Sequence, residues 1–355
     1  MTASAKKDPA LTRARTGSAK KTAPDGRGRA QSNVGGNNNR DHGIVVGVDI
    51  GGSNLRIALA DMHGKMIGRW STSTKATSSA EMVIAQIEHG VDVLLRRSAA
   101  SHRYLRSVAV GAPGVTDSNS GIVLATSYLR GWKNVPLQRL LEAAFGVPAA
   151  IENDVRIGAL GEHWIGAAQG MNDFVFLALG TGIAAGIFAN GQLIHGTNFT
   201  AGEVGYMYVP GTSKNPAKTS EPGALESMLG GDGIRQEWER LCPQDRKPQK
   251  LTATQIFELA GTGDSVAQSV LDRSAQLLAY AIYNIALVLN SPYFVLGGGV
   301  GVSLPLRDAT ERILSRYGEP VSPKLVISTL GTDAQIMGAI RLALNTAEAH
   351  AGRRT

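Results

Sequence analysis

The chain has 355 residues, 43 of them glycine, with 43% hydrophobic and only 5% aromatic side chains; this predicts two globular domains of α/β type rather than an all-β sandwich. A single cysteine, Cys242, excludes an internal disulfide and a cysteine-cluster zinc site and suits a reducing, cytoplasmic setting, and no apolar run reaches the roughly 18 residues of a membrane span. The net charge of +7 suggests a polyanion partner, but residues 1–42 carry nine Lys/Arg against three Asp, so six of the seven charges lie there and the remaining body is near neutral.

Residues 1–42 lack a bulky apolar repeat and cannot bury enough surface to offset their ordering entropy, which predicts a disordered basic tail. They hold no apolar secretory core. Order is expected from Gly43. Ile44–Asp49, Asn54–Ala60 and Met66–Ser71 read as three strands turned by Gly51-Gly52 and His63-Gly64. Residues 80–97 have helical apolar spacing, Val108–Gly111 reads as a strand, and "GAPGVTDSNSG" as a loop. "PLQRLLEAAFG" reads as a helix with Pro at its start and Gly past its end. The pattern then repeats. "PAAIEND" is a strand, "VRIGALGEHWIGAA" a helix, and "DFVFLALGTGIAAGIFANGQLI" two strands about a Gly-Thr-Gly turn. Residues 200–233 look irregular. Helices are expected at 233–242, 253–260, 264–289 and, after the strand "PYFVLGGGVG", at 333–350.

Three glycine-rich turns carry the chemistry. An apolar strand delivers Asp49 to Gly51, Gly52, Ser53 and Asn54; glycines there bring backbone N–H groups close to a phosphate, and the carboxylate suits Mg²⁺, directly or through water. Gly180, Thr181 and Gly182 repeat the device. Gly298 and Gly299 follow a buried strand and offer a flat surface to an adenine. Each is weak alone, being compatible with an ordinary turn. Their order resembles the actin-like ATPase (ribonuclease H-like) fold, two α/β lobes with a cleft between them.

"DIGGSN", "GAPGVTD", "PAAIENDV", "GALGEHW", "LGTGIAAGI", "NGQLIHG", "AGEVGY" and "LGTDAQIMGAIRLAL" together resemble the bacterial ROK family of sugar kinases and sugar-responsive repressors, from about Gly43 to Leu344. The resemblance implies a small lobe at 43–148 joined by the helix 333–350, a large lobe at 149–332, ATP and Mg²⁺ as cofactors, and a homodimer. It implies Asp154 as the general base that takes a proton from a sugar hydroxyl. Asn153, Glu203, Glu226 and Gly114 would bind the sugar, while Glu152 would only cap or be solvated. In isolation Glu203 and Glu226 would be ordinary loop carboxylates.

Three departures stand out. Tyr206 replaces the family's His, and its cysteine cluster is missing, so no structural zinc is expected and Tyr206 or Tyr208 would hold the loop by packing. Tyr128 replaces a sugar-binding Asn. Arg156 stands where Asn is usual, to pair with a neighbouring carboxylate. The resulting expectation is a glucokinase-like hexose kinase. Fructose, mannose or an N-acetylhexosamine, or polyphosphate as donor, are alternatives. A sugar-sensing regulator is another, but residues 1–42 offer no two amphipathic helices for a helix-turn-helix, and no specific nucleic acid or membrane partner is expected.

Overall fold

The computed structural model describes residues 43–74, 79–212, 221–243 and 250–353; the expected tail at 1–42 falls outside them. β1 (Ile44–Ile50), β2 (Asn54–Asp61) and β3 (Met66–Ser73) form an antiparallel meander. α1 (Ala80–Arg97) starts where the Ser79 hydroxyl accepts the Met82 N–H. β4 (Leu105–Ala112) returns parallel to β1. β5 (Val115–Asp117), β6 (Ile122–Ala125) and β7 (Lys133–Val135) form a small separate antiparallel sheet, of which the sequence shows only the first part as loop. Strands of three or four residues carry too little alternation to be legible. α2 (Leu137–Phe145) ends at Gly146 in the left-handed conformation, and β8 (Ala149–Asn153) and α3 (Asp154–Ile165) follow.

The second half repeats the plan. β9 (Phe174–Leu179), β10 (Ile183–Ala189) and β11 (Gln192–Leu193) make another meander. The region expected to be irregular holds α4 (Glu226–Leu229) and the start of α5 (Gly231–Leu241). After α6 (Ala253–Ala260) and α7 (Ser265–Leu289) come β12 (Tyr293–Gly297), parallel to β9, α8 (Gly298–Gly301), α9 (Leu304–Leu314), β13 (Lys324–Ile327) and α10 (Ala334–Gly352).

The two five-stranded sheets run β3-β2-β1-β4-β8 and β11-β10-β9-β12-β13. Each is a three-stranded meander extended by two parallel strands, so the repeat suggested by the two glycine hairpins is a repeat of topology. One boundary differs from the sequence reading. β8 was expected in the second lobe but pairs with β4 in the first sheet. The intervening α2 is a crossover, which returns the chain to the sheet it left. The passage between halves is made by α3.

α10 lies on the first sheet through Ile336, Ile340 and Ala343 against Val45, Ala58 and Ala109. On the second sheet α3 packs Ala159 among Phe174, Phe176 and Phe188. The sheets' other faces are covered by α1 and α2, with Ile87, Leu94 and Leu141 buried, and by the large helical layer around Trp238, Phe257 and Leu278. The two middle helices cross very closely. A Cβ on Gly338 would overlap the Ile157 carbonyl oxygen, and one on Gly161 would overlap that of Ala334. Only glycine permits this backbone approach. Gly338→Ala is therefore expected to destabilise the protein by at least about 1–3 kcal/mol in urea unfolding, as overpacking does. Gly352→Ala, on the same helix with nothing near a new Cβ, should be close to neutral.

Candidate active site

The strand β8 ends on three polar residues because a helix must start there. Asn153 is the N-cap of α3: its side-chain oxygen accepts the N–H groups of Val155 and Arg156, both at 3.0 Å. Its amide nitrogen donates to the Gly114 carbonyl and to Asp154 Oδ1, each at 3.0 Å. Both donors and both lone pairs of the amide are thus used within the protein. Asn153 therefore positions Asp154, and Gly114, also expected at the sugar, supplies the carbonyl that Asn153 grips. Asp154 is the first helical residue. Its Oδ1 also accepts the Val155 N–H at 2.9 Å, which leaves Oδ2 available.

Glu152 is no solvated cap. It is 5% exposed, and Arg156 beside it is 2% exposed. Oε1 of Glu152 accepts Arg156 Nε and the Asn153 N–H, each at 2.7 Å, while Oε2 pairs with His195 Nε2 at 2.7 Å. Arg156 spends its remaining nitrogens on the carbonyls of Thr116 and Phe199, both at 2.9 Å. The expected Arg156–carboxylate pair is present, and it fastens the loop that leads to Glu203. Tyr206 and Tyr208, expected to hold the loop at 209–226 by packing, are 41% and 54% exposed; residues 213–220 of that loop lie outside the described residues. The i, i+4 spacing of Glu152 and Arg156 was a visible signal for this pair; the role of His195 had none.

Asp49 ends β1 and is buried. Its Oδ2 accepts Arg56 Nε at 2.8 Å, and Arg56 also reaches the Thr332 carbonyl and Gln335 Oε1. Burial pushes the Asp49 carboxyl up despite Arg56. Asp154 is raised to about 7, first by removal from water and then by the charge of Asp49, against the Val155 hydrogen bond, with Glu203 adding a smaller push. Burial also raises Glu203 and Glu226; Glu226 Oε2 accepts the Ile183 N–H at 2.7 Å, which opposes the rise.

The structure gathers Asp49, Asp154, Glu203 and Glu226 around the two glycine hairpins. A Cβ on Gly182 would lie 3.0 Å from both Glu226 Oε2 and the Tyr128 hydroxyl, and one on Gly52 would lie 3.3 Å from the Tyr128 ring. The first hairpin is closed by Gly51 N–H to the Asn54 carbonyl and tied to Thr74, whose N–H donates to the Ser53 carbonyl. The second is closed between Gly180 and Gly182 and receives the Gly231 N–H at the Gly180 carbonyl. Gly298 backs onto the Leu179 carbonyl just before Gly180, with a positive φ of 78°; close packing fixes it, whereas a Cβ on Gly299 would meet open space.

Among the described residues no three of His, Cys, Asp and Glu come together to hold a metal ion. A magnesium ion that enters with phosphates needs only one or two carboxylates and keeps its waters. Asp49, a buried carboxylate at the strand end beside the Gly51–Asn54 turn, fits that mode of binding. Among the described residues no helix is long and apolar enough to cross a membrane.

A family model described as "ROK family" matches residues 45–346. A glucokinase of Halalkalibacterium halodurans is 32% identical over 82% of this chain and 92% of its own. A ROK hexokinase from Thermus thermophilus superimposes with a TM-score of 0.71 at 25% identity, covering 87% of this chain and 99% of that one. A ROK glucokinase from Streptomyces griseus, in complex with glucose and AMPPNP, does so with a TM-score of 0.69 at 25% identity, over 85% and 100%.

Two outcomes follow from the buried charges. Arg156→Met leaves Glu152 with only His195 and the Asn153 N–H, and breaking a buried pair costs up to about 3–5 kcal/mol; unfolding at pH 8 should show most of this loss, and in acid, where a buried Glu152 without its arginine takes up a proton, less. The folded-state value of Asp154 lies above that of an unfolded aspartate, ~3.9. Its contribution to stability is therefore full below about pH 4 and is lost as pH rises through about 7. Asp154→Asn should raise the Tm at pH 8 and leave it nearly unchanged at pH 4.

Proposed function

The chain belongs to the ROK family and has its actin-like ATPase fold, and we propose that it is an ATP-dependent hexose kinase that phosphorylates glucose with Asp154 as general base. The observation that carries this is the Asp154 carboxylate. One oxygen is pinned by Asn153 and Val155, and its proton affinity is set near neutrality beside Asp49, where the two glycine turns face each other across Tyr128. A base poised near the working pH is what proton abstraction from a weakly acidic hydroxyl requires.

In this reading the triphosphate lies along the hairpins of Gly51–Asn54 and Gly180–Gly182, with the adenosine toward Gly298 and Gly299. Asp49 would hold the magnesium ion of the nucleotide, directly or through water; that ion, when bound, neutralises charge on the β- and γ-phosphate oxygens. Glu203 and Glu226 accept hydrogen bonds from sugar hydroxyls and so fix which hydroxyl faces the phosphorus. The hydroxyl oxygen attacks the γ-phosphorus, its proton passes to Asp154, the bond to the bridging oxygen of ADP breaks, and sugar phosphate and ADP leave. Asn153 serves by orienting Asp154. The glucokinase relatives at 32% and 25% identity support glucose as the first sugar to test.

ADP release measured with glucose, fructose, mannose and N-acetylglucosamine, with ATP and polyphosphate as donors, tests the assignment. Glucose with ATP should turn over fastest, and absence of turnover with every hexose rejects the kinase reading. Asp154→Asn should lower kcat by ~10²–10⁴-fold, the usual worth of a general base. The wild-type rate should rise with pH through an apparent value of about 7, as Asp154 loses its proton.

A further inference from the structure

A base poised near neutrality does not distinguish a sugar hydroxyl from water, so an enzyme built around Asp154 has to keep water from the γ-phosphorus when no sugar is bound. The side chain of Tyr128 occupies the place where this is decided. Its Cβ and ring lie 3.3–3.7 Å from a Cβ placed on Gly52, in the first hairpin turn, and its hydroxyl lies 3.0 Å from one placed on Gly182, in the second. One tyrosine therefore reaches from one turn to the other. It is 45% exposed, so it stands in the opening between the turns rather than in the core. It also rides on a loop after β6, held by its own N–H to Thr126 Oγ1 at 3.1 Å.

The charges around the phenol explain why it stays there and what would move it. Burial, followed by the charges of Glu226, Asp154 and Glu203, holds it neutral, with its value pushed up to about 12. It is thus a neutral phenol surrounded by carboxylate charge. A hexose held by Glu203 and Glu226 would bring its hydroxyls into the space beside Gly182 that the phenol occupies.

We infer that Tyr128 sets the choice between sugar and water as phosphoryl acceptor: its side chain fills the gap between the two hairpin turns until a sugar bound at Glu226 and Glu203 displaces it. Tyr128 is a gating residue and takes no proton. The reaction it suppresses is attack of a water oxygen on the γ-phosphorus, with a proton passing to Asp154 and ADP and phosphate as products. This inference rests on the kinase reading above.

The test compares ADP release with and without saturating glucose in the wild type, Tyr128→Phe and Tyr128→Ala. Tyr128→Ala should raise the ratio of sugar-independent to sugar-dependent release by about tenfold or more, the effect of ~1.4 kcal/mol on competing barriers. Tyr128→Phe keeps the bulk and should retain most of the suppression. A lost fold is detected by circular dichroism, and Tyr128→Leu, which shortens the side chain but keeps it apolar, then replaces the alanine variant with the same expected rise. An unchanged ratio in a folded Tyr128→Ala or Tyr128→Leu, with normal sugar-dependent turnover, overturns the gate and leaves the kinase reading standing. No sugar-dependent turnover in the wild type overturns both.

Discussion

The buried pair of Glu152 and Arg156 is the interaction on which the site is built. Taking two charges out of water costs several kcal/mol per ion unless every polar atom is matched. Here the matching is close to complete: Glu152 uses both oxygens, and Arg156 reaches Glu152, Thr116 and Phe199 with three different nitrogens. Each partner belongs to a different piece of chain. Thr116 lies in β5, Phe199 and His195 in the loop that leads to Glu203, and Glu152 at the end of β8. A requirement of electrostatics thus becomes a requirement of geometry, because none of these pieces can shift without exposing a charge to an apolar interior. Asp154 sits in sequence between the two partners and inherits their rigidity.

Two carboxylates two residues apart end in opposite states for reasons visible in their surroundings. Burial acts on both. For Glu152 it is overcome by hydrogen bonding to His195 and by the charge of Arg156, and the acid is held below its usual range. For Asp154 the nearby charges are negative, and they add to burial. Environment rather than residue type separates a carboxylate held low from one raised toward neutrality. Arg56 performs a related service for Asp49, whose burial would otherwise leave a lone charge at the end of β1.

Much of this was legible in the sequence, and what was not has physical reasons. The long strands and helices announce themselves by period, as do the two hairpins by their glycines; α1 runs over residues 80–97 as its apolar spacing says. The three-residue strands β5 and β7 do not, because too few residues alternate. α9 was also missed: Arg307, Asp308, Glu311 and Arg312 crowd its short length and blur its apolar face. β8 was placed in the wrong sheet since pairing is a long-range event that local pattern cannot reveal. At the site, the resemblance to the ROK family pointed to Asp154, Glu203 and Glu226, whose charges act on one another and on the Tyr128 phenol. The partners of Asn153 and Glu152 could not be read, because hydrogen bonds to Gly114 and His195 span 39 and 43 residues. Sequence reasoning set the Asn153 amide toward a sugar because an amide suits hydroxyls; the fold also uses it to cap α3.

The same logic separates what in this site is fixed from what moves. α3 and α10 cross with their backbones in contact at Gly161 and Gly338, so they behave as one block between the two sheets. Asp154 opens one of these helices. Arg56, on Asp49, is fastened to Thr332 and Gln335 at the opening of the other. Asp154 and Asp49 are therefore positioned by one seam of closely crossed helices, which would suit the proposed reaction, whose catalysis is mostly alignment and charge. Tyr128 lies on a loop outside that seam, 45% exposed and held there by its own N–H to Thr126 Oγ1, whereas the loop leading to Glu203 is tied back to the buried ion pair through Phe199 and His195. An acceptor gate at Tyr128 would therefore sit where the fold is least constrained.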